Sequence, residues 1–184
     1  PIHSGTSVCN LNLPIHEGEC TSGPASLRGL WYTDLMATVR PFRALRFSAA
    51  DLAPLVAPPY DVISPEEREQ LAGQSENNVV HITLPEQLDD DRSKFVKYAR
   101  SASRLQAWAD TGVMAAEDQP TYYRYTQKFD LPSGERLSRT ALIALIKVEP
   151  YEKGVVLPHE QTFPKHKEDR LRILEATNAH LECI

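Results

Sequence analysis

Cysteine is scarce: Cys9, Cys20 and Cys183 form no CxxC pair in 184 residues. That excludes a disulfide-stapled secreted scaffold and a four-thiolate metal knuckle. Long apolar runs are missing too. The longest, Ala141 to Ile146, has six residues, against the roughly 20 that span a bilayer, so no transmembrane helix is expected. Neither GxxxxGK[ST] nor GxGxxG occurs, and any nucleotide site must therefore be of another type. Glycine numbers only 8 against 14 prolines, which rules out collagenous and low-complexity chains and points to stiff, defined turns. What is present is ordinary for a soluble globular protein: 41% hydrophobic, 24% charged, and a mean hydropathy of −0.39. The 20 bases against 25 acids give a net charge of −5, so neither nucleic acid nor a membrane surface is an expected partner.

The charge is unevenly spread. Residues 1–35 hold one base, Arg28, and three acids, Glu17, Glu19 and Asp34, together with Cys9 and Cys20. They show neither strand nor helix periodicity and lack the basic and apolar stretches of a secretory signal. This stretch is expected to be a foreign or disordered extension, with Met36 opening the domain proper over 36–184. The missing signal and the few thiols point to the cytoplasm.

Val39 to Phe47 alternates basic and apolar residues and predicts an edge strand, because Pro41 has no N–H for a ladder. The prolines of Leu55 to Val62 exclude a helix there. Ser64-Pro65-Glu66-Glu67 is a capping box with proline at the first helical position, predicting a helix that ends near Gly73. Asn78 to Leu84 is β-branched enough to predict a buried strand. Arg92 to Asp110 predicts a helix whose apolar stripe is Phe95, Tyr98, Ala99, Ala102, Leu105, Trp108 and Ala109, stopped by Gly112. Tyr122 to Asp130 and Leu137 to Val148 predict a long antiparallel hairpin, its ALIALI run fully buried. Lys167 to Asn178 predicts a helix burying Leu171, Ile173 and Leu174. The sum is an α+β (mixed α/β) fold with about three helices.

Chemistry concentrates in VVLPHEQTFPKHKEDRLR, residues 155–172, a proline-punctuated loop entering a helix. Lys167 and Arg170 lie three apart on one helical face, and with the N–H groups of a helix start they suit a phosphate. The competing reading is a solvated charged turn. His159, Glu160 and His166 invite a metal, but Pro164 and the spacing do not match HExxH, so zinc is not expected, nor is haem or flavin. A Glu beside a His also suits general-base work, with a surface ion pair as the alternative. In Pro58-Pro59-Tyr60-Asp61 a rigid backbone aims a ring and a carboxylate, for a ligand or simply for a turn. Arg40, Arg43 and Arg46 form a basic stripe only on a helix. Tyr122, Tyr123 and Tyr125 suit base stacking or, more commonly, cross-strand packing. His81 is expected to be a hydrogen-bonded core histidine.

Five ordered blocks, PFRALRF (41–47), VAPPYDVIS (56–64), NNVVHITLP (77–85), AWADTGVM (107–114) and GVVLPHEQTFPKHKEDRLRIL (154–174), resemble the bacterial and archaeal family catalogued as domain of unknown function 1015. The resemblance implies longer cytosolic proteins without an established common activity, distantly similar to the ParB-like superfamily with its nucleotide-dependent free-serine kinases. Part of that likeness rests on an Asp-Gly-His-His-Arg signature in the family's later half, which this sequence does not contain. The resemblance therefore implies the N-terminal portion of a larger, ParB-like domain. It points to Pro59, Tyr60, Asp61, His159, Glu160, Lys167, Asp169 and Arg170 as recurrent polar positions.

If the chemistry is phosphoryl transfer from ATP or ADP with Mg²⁺ to a small-molecule hydroxyl, positioning and charge neutralisation do most of the work. Lys167 and Arg170, with Tyr60 and Arg43, are then the candidate phosphate and ligand contacts. Asp169 holds Mg²⁺ or orients Arg170, and Glu160 or Asp61, with His159 nearby, accepts the hydroxyl proton. Two other readings stand beside this one: a non-catalytic ParB-like binding module, and a truncated chain with no activity of its own.

Overall fold

The computed structural model describes residues 36–158 and 164–182, the side chains of 164–166 excepted. The extension 1–35 lies outside the described residues. The fold is mixed α+β, and its described residues divide into two units, 36–43 with 118–158 and 44–117 with 164–182.

The first unit is built on strands. Strand β1 (Val39–Arg40) pairs antiparallel with Leu145–Ile146, numbered β6 in chain order. The main hairpin joins Tyr123–Asp130 (β4) to Arg136–Ile143 (β5), in register from Tyr123↔Ile143 to Asp130↔Arg136. Its turn closes through Leu131 N–H to Glu135 O (2.8 Å) and Gly134 N–H to Leu131 O (2.8 Å), with Gly134 at φ +84°, where a Cβ would be strained. Tyr123 is buried. Its ring tilts against Phe42 at 5.0 Å, and its hydroxyl donates to the Phe42 carbonyl at 3.1 Å.

The hairpin is as predicted, but the expected burial of the ALIALI run is not found. The chain changes partner at Ala144, from β4 to β1, and Leu142, Leu145 and Ile146 are exposed. Tyr123, at the end of the β4–β5 register and packed on Phe42, is the buried aromatic.

The second unit holds the helices. Strand β2 (Leu45–Phe47) pairs antiparallel with β3 (Met114–Ala116). The predicted strand Val39 to Phe47 is thus two strands, broken at Pro41 and joined to different partners. Helix α1 (Pro65–Gln74) begins with the expected capping box: Glu67 N–H donates to Ser64 Oγ at 3.2 Å and Ser64 N–H to Glu67 Oε2 at 2.9 Å. Such a cap contributes about 1 kcal/mol.

The buried strand expected over Asn78 to Leu84 is instead a short helix, α2 (Val80–Thr83). Asn78 decides the matter: its Oδ1 accepts from Val80 N–H at 2.9 Å and opens the turn, while its amide donates to the carbonyls of Pro54 (2.9 Å) and Val56 (3.2 Å). Burial of Val80 and Ile82 explains their apolar character without any ladder. His81 is half-buried and bonds the Ser75 carbonyl at 3.2 Å. Burial and the Arg104 charge hold its pKa below the usual histidine value.

Helix α3 (Val96–Asp110) presents Ser101, Leu105 and Trp108 inward, at steps of four and three residues. Phe95, Ala99 and Ala109, expected on the buried stripe, face solvent. Trp108, Leu105 and Ile82 form the core cluster, with Phe47 tilted on the indole at 5.7 Å. Helix α4 (Pro164–Thr177) packs on α3 and buries Ile173, whereas Leu171 is 49% exposed, contrary to expectation. The described residues therefore contain four α-helices rather than three. None is long and apolar enough to cross a membrane.

Candidate functional site

Tyr60 owes its placement to two prolines. Pro59, at φ −53° and ψ 141°, delivers the chain extended into a 3-10 turn over Tyr60–Val62, and that fixes the direction of the ring. From α4, Arg170 lays its guanidinium over this ring, 3.9 Å from the centroid. The cation–π contact contributes on the order of 1 kcal/mol and fixes the plane of the fork.

The neighbouring Asp169 holds the same guanidinium from the side, accepting from Arg170 Nη2 at 2.5 Å. Its other oxygen accepts from the Tyr98 hydroxyl at 2.7 Å and from Lys97 Nζ at 3.3 Å, both on α3. A second carboxylate, Glu182, lies beyond the end of α4. It is 3.8 Å from Arg170 Nη1 and accepts the Tyr60 backbone N–H. Arg170 Nε is buried, with no hydrogen-bond partner among the described residues.

The electrostatics separate the two carboxylates. For Asp169, burial alone would raise the pKa, but hydrogen bonds from Arg170 and Tyr98 and the charges of Arg170 and Lys97 win, holding it below the usual value. For Glu182 burial wins over Arg170 and the Tyr60 N–H, with Asp61 adding repulsion, and the pKa is raised. Burial and the bond to Asp169 push the Tyr98 phenol up to about 12. Burial, opposed by Arg170, raises Tyr60. The site therefore holds two neutral phenols around an arginine with one firm and one loose acidic partner.

Of the sequence candidates, Tyr60, Asp61, Asp169 and Arg170 come together here. Asp61 is exposed on the turn of Tyr60, close enough to act on Tyr60 and Glu182 by charge. Lys167 is exposed on α4, and Arg43 is an exposed residue of the other unit. His159 and Glu160 lie outside the described residues. Of the two parts offered for Asp169, its contacts bear on the second: one oxygen accepts from the Arg170 guanidinium, the other from an ammonium and a phenol. Among the described residues no three His, Cys, Asp or Glu side chains are grouped for a metal ion.

Sequence reasoning missed Lys97, Tyr98 and Glu182. Tyr98 was counted with the apolar stripe of α3, and only the polar tip of a tyrosine there hinted at a second role. Glu182 carried no sequence signal.

Fold and site together define a mixed α+β protein with a polar cluster centred on a stacked, acid-braced arginine. Residues 39–184 match the family described as "Protein of unknown function (DUF1015)", and the chain belongs to it. No curated protein and no solved structure matches the chain.

Proposed function

We propose that the Tyr60–Arg170 cluster binds an oxyanion of a small-molecule ligand, and that the ligand is a nucleotide used for phosphoryl transfer to a hydroxyl acceptor. The observation that carries the binding reading is Arg170 itself. Its guanidinium is fixed in plane by Tyr60 and Asp169, while its buried Nε–H has no protein acceptor among the described residues. A fork fixed before the ligand arrives loses little entropy on binding, and its remaining N–H groups match a phosphate or carboxylate edge. Asp169 is then a positioning residue, and Lys167 on the same helix adds positive charge for a phosphate tail. In the transfer step the bond from the terminal phosphorus to the nucleotide oxygen breaks and one to the acceptor oxygen forms. We assign the acceptor's proton to Asp61, the exposed carboxylate of the Tyr60 turn.

The test is thermal unfolding of the whole chain with inorganic phosphate, ADP and ATP, each with and without Mg²⁺. At tenfold excess over the dissociation constant, a binding nucleotide raises the midpoint by about 3 °C. Arg170→Lys, which keeps the charge and loses the fork, abolishes the rise. No shift with any of the three ligands sinks the proposal. Shifts with ADP and ATP but no phosphorylation of serine or other small hydroxyl compounds limit it to binding.

A further inference from the structure

Resting on the anion-binding reading above, we infer that Glu182 is an internal stand-in for the ligand: its carboxylate fills the oxyanion position between the Tyr60 backbone N–H and the Arg170 guanidinium, and an incoming oxyanion displaces it. The two acidic partners of Arg170 differ in every respect that bears on exchange. Asp169 contacts Nη2 at 2.5 Å, sits inside α4 and carries two further donors. Glu182 stands 3.8 Å from Nη1, beyond hydrogen-bond length. It lies on irregular chain past the helix.

The neighbouring Ala179 and Leu181 pack on the core, so Glu182 can leave by side-chain rotation alone while its backbone stays anchored. The groups facing it are Arg170 of α4 and Tyr60 and Asp61 of the turn. Asp61 repels it and burial disfavours its charge, so the seat is occupied without being tightly held. A tetrahedral or planar oxyanion at this seat keeps the N–H of Tyr60 and the charge of Arg170 satisfied while releasing Glu182 to water. The cluster is thereby closed by the protein's own carboxylate until a competing anion arrives.

Inorganic sulfate is the probe, because its charge is constant over the working pH range. Titration of the whole chain by calorimetry is expected to show Glu182→Gln binding sulfate about tenfold tighter than the natural chain, the factor for a seat left open about one-tenth of the time. A second arm needs no variant. As pH falls through the raised pKa of Glu182, protonation weakens its hold on Arg170, while Asp169, whose pKa is depressed, stays charged and Tyr60 stays neutral. The natural chain therefore gains sulfate affinity as pH falls, and Glu182→Gln, where it folds, does not. Equal affinities in the two proteins, or a flat pH profile of the natural chain, overturn the role of Glu182 and leave the anion site standing. No sulfate binding by either protein overturns both.

Discussion

In the first unit eight consecutive cross-strand pairs align β4 with β5, yet Tyr123 is the one buried side chain among its described residues. In the second unit the two strands pair over only three residues, while Leu55, Val80, Ile82, Leu105, Trp108 and Ile173 are buried. Backbone pairing thus builds regular structure where little is sealed from water, and side-chain burial builds the place where polar groups acquire unusual properties. The ion pairs make the same point. Glu149, in the first unit, is brought down to about 2 by hydrogen bonds from Lys147 and Lys153, but both lysines are open to solvent that screens them. Asp169 meets its donors half-buried, where the same kind of contact orders a guanidinium against a ring.

The largest expected effect tests the core of the second unit. Trp108→Ala removes the indole from the Ile82 and Leu105 cluster and lowers unfolding stability by about 4 kcal/mol. Chemical denaturation measures it, and a loss below about 1 kcal/mol would mean that the cluster does not hold this unit.

Next comes Asp169→Asn, which leaves Arg170 and Lys97 without their countercharge and costs about 2 kcal/mol at neutral pH. The folded-state pKa of Asp169 is depressed. Its stabilisation is therefore complete above the unfolded carboxyl value and is lost as pH falls through the folded one. The gap between natural chain and variant should close on acidification, and a gap that widens would reverse the assigned sign. The raised Glu182 has the opposite sign, its charged form costing stability as pH rises.

The smallest effect belongs to the first unit. Tyr123→Phe loses the 3.1 Å bond to the Phe42 carbonyl and costs about 1 kcal/mol. Hydrogen exchange should locate the change at the Phe42–Thr121 bridge and the adjoining end of β4. A loss matching that of Trp108→Ala would erase the contrast between the two units.

Local chemistry was legible in the sequence wherever neighbours along the chain decide the outcome. The Ser64–Glu67 cap, the stop at Gly112 and the hairpin turn at Gly134 all depend on residues a few positions apart. The segment 78–84 was not legible as a helix, since Val79, Val80 and Ile82 have strand propensities. The amide of Asn78, reaching carbonyls 22 and 24 positions away, overrides them. Periodicity places Leu171, Ile173 and Leu174 inward together, but of the three the neighbours of α4 bury Ile173 and leave Leu171 exposed. Tyr60, Asp61, Asp169 and Arg170 were legible as unusual residues. Their partners were not, because Lys97 and Tyr98 meet Asp169 across 72 and 71 positions.

Asn78 also has a consequence in time. Its side chain is fully buried and bonds Pro54, Val56 and Val80 at once. Pulling the proline segment away from α2 would strand a primary amide in the interior, so small, frequent openings of that segment are suppressed and rare, larger ones remain. The Tyr60 corner, a few residues further along this segment, should exchange its amide protons at the slow pace of the core, and its ring should wait for a ligand already in position.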